Sequence, residues 1–199
     1  MFTKRLYQET KDAHQILDKH IFVNLIRTNK EAGELYIIMN KICISYIQKE
    51  IQKRLEDPNS NFESFRLLFG KLYKDININI YVSPKMHLLL SRCKAYPLEH
   101  AYMFILGLLF GGKLLSKYLP DHEEFLKYDN SKELINEFKD YLDKNVPLTK
   151  TSLDGKLITS IDSKIVEHDE FINIVNESYK LINEIFDEYY IKVQKDTSL

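Results

Sequence analysis

Gly107-Leu108-Leu109-Phe110-Gly111-Gly112 holds three of the chain's six glycines in one hexapeptide. The flanking residues, between Pro97 and Pro120, are good helix formers, so the glycines fall inside a helix. Each interior glycine costs roughly 0.5–1 kcal/mol relative to alanine, and something must offset that cost. Gly107 and Gly111 are four apart and share a face. Two uses fit: close packing against another helix, or a flat, bulky ligand laid across bare backbone. The Gly111-Gly112 pair permits a kink. A phosphate loop is excluded, because no strand precedes the motif and no Gly-Lys-Ser/Thr follows.

Outward from this segment, sparse glycines and prolines cut the chain into long helical stretches. Residues 3–28 carry Leu6, Ala13, Leu17, Ile21 and Leu25 at helical spacing. Asn29-Lys30 break the pattern, and a long helix follows over about 31–56. Asp57-Pro58-Asn59-Ser60 reads as a turn, 61–74 as a helix and Ile76–Ile80 as an extended connector. Ser83 caps a helix that starts at Pro84 and runs to Ala95. Residues 97–118 and 121–145 are helical, 146–165 irregular, and a last helix runs over about 167–194. The sum is all-α, with six to eight helices in one domain.

The 199 residues suffice for one domain with a sizeable core. A formal charge of −1 argues against a dedicated nucleic-acid binder. Cys43 and Cys93 form no CxxC, so the expectation is a reducing, cytoplasmic compartment without disulfides. The apolar run Ala101–Gly112 is shorter than the ~20 residues of a membrane span, and reads as a buried helix. No secretory signal pattern opens the chain.

Six histidines are present, none in HxxxH or HExxH spacing. His14 lies near Leu6, Thr10, Leu17 and Ile21 by helical spacing and is expected to point inward, as a hydrogen-bonded core residue or as a ligand. Asp18, one turn on, is placed to hold its second ring nitrogen. His100 reads as a structural polar contact; His20, His87, His122 and His168 read as surface residues.

Two segments together carry a family resemblance. Leu6-Tyr7-Gln8-Glu9-Thr10-Lys11-Asp12-Ala13-His14 resembles the opening helix of the heme oxygenases, which supplies their proximal histidine. Glu99-His100-Ala101-Tyr102 through Leu106-Gly107 to Gly111-Gly112-Lys113-Leu114-Leu115 resembles their distal helix. The similarity spans roughly residues 4–192 and is specific in those two places.

The resemblance implies a helical bundle that sandwiches heme between a proximal and a kinked distal helix. It implies His14 as the iron ligand, with Asp18 behind it. Gly107, Gly111 and Gly112 would form the distal wall, Tyr102 a distal-side tyrosine, and Lys11 a basic residue near the propionates. Lys150, Lys156 and Lys164 stand in for the family's basic pair, with Lys156 the chosen candidate. Heme would be substrate and cofactor, cleaved to biliverdin, CO and iron with electrons from a ferredoxin or flavin reductase. One departure matters. Many family members carry an aspartate after the first distal glycine; here that residue is Leu108, which offers no hydrogen bond. A protein of this shape that binds heme, another tetrapyrrole or a protein without turnover is therefore the alternative. A thiaminase-like or di-metal member of the superfold comes third, because it needs a cysteine nucleophile or clustered carboxylates and histidines.

Overall fold

The computed structural model describes residues 1–55, 82–146 and 168–196. The expected turn at 57–60, the helix at 61–74, the connector at 76–80, and Lys150, Lys156 and Lys164 lie outside them. Among the described residues there are eight α-helices and no strand: α1 (Phe2–Asp18), α2 (Ile21–Leu25), α3 (Lys30–Leu55), α4 (Pro84–Ala95), α5 (Pro97–Leu115), α6 (Glu123–Leu126), α7 (Ser131–Asn145) and α8 (His168–Asp196). A 3-10 turn, Pro120–His122, leads into α6.

α3 and α5 are the central pair. α3 buries Ile37, Met39, Ile42, Cys43, Ile44, Ile47 and Ile51, which point in several directions around the helix. α5 buries eleven of its nineteen residues, including Glu99 and His100. By length and composition α5 is apolar enough to cross a membrane, yet about half of it is enclosed by neighbouring helices. It packs on α3, α4, α6, α7 and α8.

α1 is amphipathic and lies along α8 and α7. Thr3 donates to Asp143 from its backbone NH (2.8 Å) and its hydroxyl (3.0 Å), tying α1 to α7. Arg5 pairs with Glu9 and Asp169, and Asn176 donates to the Glu9 carbonyl at 3.2 Å, tying α1 to α8.

The stretch expected as one helix over 3–28 is two. His20 has an extended backbone (ψ 138°), and its Nδ1 accepts from the Phe22 NH to cap α2. The cap needs an accepting Nδ1, so Nε2–H donates to Asp187 at 3.0 Å. His20 is thus a half-buried cap with a 9% exposed side chain rather than a surface residue. His168 and His122 also depart from the surface reading. His168 stacks on Phe2 at 4.0 Å and bonds the Val146 carbonyl, and His122 bonds Glu34. Ser83 caps α4 as expected, accepting from Met86 NH at 3.3 Å.

His100 is the structural contact its position implied. Its Nδ1 donates to the Tyr96 carbonyl (2.7 Å), leaving Nε2 to accept from the Ser178 hydroxyl (3.0 Å). Burial pushes its pKa from 6.5 down to about 4. The unfolded chain therefore binds a proton that the folded one refuses, and stability is full above pH 6.5 and falls as pH drops toward 4. The loss by pH 4.5 is about 2–3 kcal/mol. Urea unfolding at pH 7 and 4.5 should show wild type losing this much more than His100→Gln; equal losses would reject the assignment.

Candidate functional site

On α1, Tyr7, Lys11, His14 and Asp18 follow at steps of four and three and form one exposed stripe. His14 Nδ1 stands 3.0 Å from Asp18 Oδ2, as its spacing implied. The expected inward orientation of His14 is corrected: its side chain is 48% exposed. The reason is geometric. Each step of four turns a position by about 40° around the helix, so Leu6, Thr10 and His14 precess by about 80°. The buried face is centred on Leu6 and Thr10, with Ala13 and Leu17 packed beside it, and His14 stands on its rim. With Nδ1 held by Asp18, Nε2 has no partner among the described residues.

The α5 glycines divide into two kinds. A Cβ built on Gly107 or on Gly111 meets nothing within 4 Å, so close helix packing is not their use. A Cβ on Gly112 would lie 3.0 Å from the Leu126 carbonyl carbon and closer still to its oxygen. Gly112 is therefore corrected from ligand wall to packing residue, because it sits about 140° around the helix from Gly107. α5 continues as one helix through the pair, and the Gly112 carbonyl accepts from Ser116 NH at 2.8 Å. Beside the open glycines Phe110 is 62% and Leu114 50% exposed, while Leu108 turns into the core. Together Phe110 and Leu114 put apolar surface beside the open glycines.

Tyr102 and Tyr179 connect the two helices. Burial raises the Tyr102 phenol above its usual pKa, opposed by the neighbouring Thr10 hydroxyl of α1. That contact joins α5 to α1, with His14 one turn along α1 and Gly107 about 7–8 Å along α5. Tyr179 of α8 packs its ring against the His14 imidazole, centroids 5.4 Å apart and planes at 88°. Its phenol is pushed well up by burial, and next by the neighbouring Tyr102 and Asp18.

Sequence reasoning missed Tyr179, which lies 165 residues from His14 and is placed there by the α1–α8 packing. It also missed Lys139 of α7, whose Nζ stands 5.1 Å over the Phe110 ring. Neither Lys139 nor the exposed Lys11 has a carboxylate partner among the described residues. No group of three metal-ligating side chains occurs among those residues, which leaves the di-metal alternative without support there.

No protein-family model and no curated protein matches the sequence. Among solved structures, the heme complex of heme oxygenase-1 from the cyanobacterium Synechocystis sp. PCC6803 superimposes with a TM-score of 0.65. The alignment covers 99% of this chain and 96% of that one, at 15% identity. The chain has the heme oxygenase-like fold. At that identity the heme oxygenase-like match establishes architecture, and the activity has to be argued from the residues.

Proposed function

We propose that this chain binds heme between α1 and α5 and cleaves it to biliverdin, CO and iron, using electrons from a ferredoxin or flavin reductase. The observation that carries the reading is the bare face of Gly107 and Gly111, kept open at a cost in helix propensity. The rest of the site fits a flat iron macrocycle with carboxylate arms. His14 Nε2 is an imidazole nitrogen without a partner among the described residues, Phe110 and Leu114 offer apolar surface, and Lys11 and Lys139 offer cations. The fold neighbour is a heme complex.

When bound, the macrocycle supplies the redox chemistry of its own opening. The protein's share is local. Asp18 accepts from His14 Nδ1–H, which fixes the tautomer and leaves the Nε2 lone pair for iron. Gly107 and Gly111 leave room on the far face. Tyr102, kept protonated by its surroundings, is a hydroxyl-bearing side chain of α5, about 7–8 Å along the helix from Gly107 and about 140° around it. Lys11 and Lys139 would hold carboxylates.

A second reading, binding of heme or another tetrapyrrole without turnover, is favoured by Leu108. It is 7% exposed and gives the distal side no acceptor for ordered water. Hemin titration followed by ascorbate with catalase present separates the two. Cleavage predicts a histidine-ligated Soret band and then a biliverdin band. Intact heme in wild type, with activity gained in Leu108→Asp, would establish the second reading instead. His14→Ala should change the heme spectrum, weaken binding by about tenfold or more and respond to added imidazole. An unchanged spectrum would reject His14 as ligand.

A further inference from the structure

We propose that Tyr179 is a positioning residue for His14: its ring sets the plane of the imidazole that Asp18 alone leaves free to turn. The proposal rests on the heme-binding reading for its consequence, though not for its geometry.

The His14–Asp18 contact joins two side chains exposed by 48% and 60%. Such a pair is weak in water and fixes one nitrogen only. The imidazole turns only about its Cα–Cβ and Cβ–Cγ bonds, but an exposed Asp18 can follow it, so this contact alone does not select one ring plane. A second contact on the ring itself is needed to choose a plane. Tyr179 provides it, nearly perpendicular at 5.4 Å, the edge-to-face geometry that aromatic pairs prefer. Tyr179 is itself 7% exposed and lies in the middle of the 29-residue α8. A side chain held that firmly can orient a looser one.

Helix packing maintains the register. Arg5–Asp169 and the Asn176–Glu9 carbonyl bond lock α1 against α8 on the N-terminal side of the contact, and His20–Asp187 locks the chain beyond it. The three ties run in the same direction along both segments, residues 5, 9 and 20 against 169, 176 and 187. His14 and Tyr179 fall between the second and third.

The hydroxyl is not what this role needs. No hydrogen bond to the Tyr179 hydroxyl occurs among the described residues. Phenylalanine should therefore substitute, and leucine should not. The plane of an axial imidazole shapes the electronic anisotropy of the iron it binds. Loss of the ring should thus show in an electron paramagnetic resonance spectrum even where folding is intact.

The test compares wild type, Tyr179→Phe and Tyr179→Leu in the full chain. In the heme-free protein, the His14 ring protons are followed by NMR for ring-current shift and for cross-relaxation with residue 179. In the hemin complex, affinity and the spread of the low-spin g values with added cyanide are measured. Tyr179→Leu is expected to shift the His14 resonances, change the g-value spread and weaken hemin binding about tenfold, the lower end of what orienting partners of metal-bound histidines contribute. Tyr179→Phe should restore all three. Unmoved His14 resonances in Tyr179→Leu, or shifted resonances with unchanged hemin affinity and g values, would overturn the proposal. If Tyr179→Leu does not fold, absence of cross-relaxation between His14 and residue 179 in wild type and Tyr179→Phe would overturn it. If wild type takes no hemin through His14, the binding reading fails while the heme-free NMR comparison still decides whether Tyr179 sets the ring.

Discussion

Leucine at Gly111, and likewise at Gly107, is expected to weaken hemin binding well over tenfold in a protein that remains at least as stable as wild type. Both positions face open space, with nothing within 4 Å of a built Cβ. A Cβ there meets no protein atom and points into open space, so the protein avoids the usual cost of overpacking. Exchanging an interior helix glycine for a better helix former returns roughly 0.5–1 kcal/mol. A ligand lying across that face meets the new side chain directly. Melting curves and hemin titrations on the same samples make the test. A well-folded Gly111→Leu variant with undiminished hemin affinity would remove the distal assignment, and with it the observation on which the functional reading stands.

Alanine at Gly112 is expected to do the opposite. One methyl group there collides with the Leu126 backbone, where no rotamer change relieves the contact. Helix α5 must shift or α6 must leave, and both disturb the core around Leu108, Leu109, Phe125 and Leu126. A loss of about 3 kcal/mol or more follows from overpacking against backbone. For a chain of this length that lowers the melting temperature by about 6–12 °C. A melting temperature within about 2 °C of wild type would show that α6 yields without cost. Two glycines one residue apart thus separate binding from folding.

The helical class and most helix bounds were legible because apolar spacing and proline position carry them. Pro84, Pro97 and Pro120 each stand at the start of a helical segment. The break at Lys19-His20 was not legible, because the apolar pattern runs on through Ile21 and Leu25 while the interruption is a histidine side chain bonding the backbone. The site was half legible. A spacing of four told that Asp18 reaches His14, since that is a property of one helix. It did not tell that His14 stands on the rim, because a 40° step per turn matters only once the packed face is known. Gly112 looked like its neighbours in sequence and differs from them by what lies opposite, a backbone fourteen residues away. Tyr179 and Lys139 left no local signal, because their partners come from other helices.

The contact between Gly112 and Leu126 also couples the movement of two helices. With its backbone seated against α6, α5 cannot roll or slide unless a second helix travels with it. α1 is held otherwise, by Thr3, Arg5 and the Glu9 carbonyl along its first half and by His20–Asp187 just past its last turn, where the exposed His14–Asp18 pair lies. A shift of the Gly107 and Gly111 face thus carries α6 with it, whereas a shift of α1 works against separate side-chain ties at both of its ends.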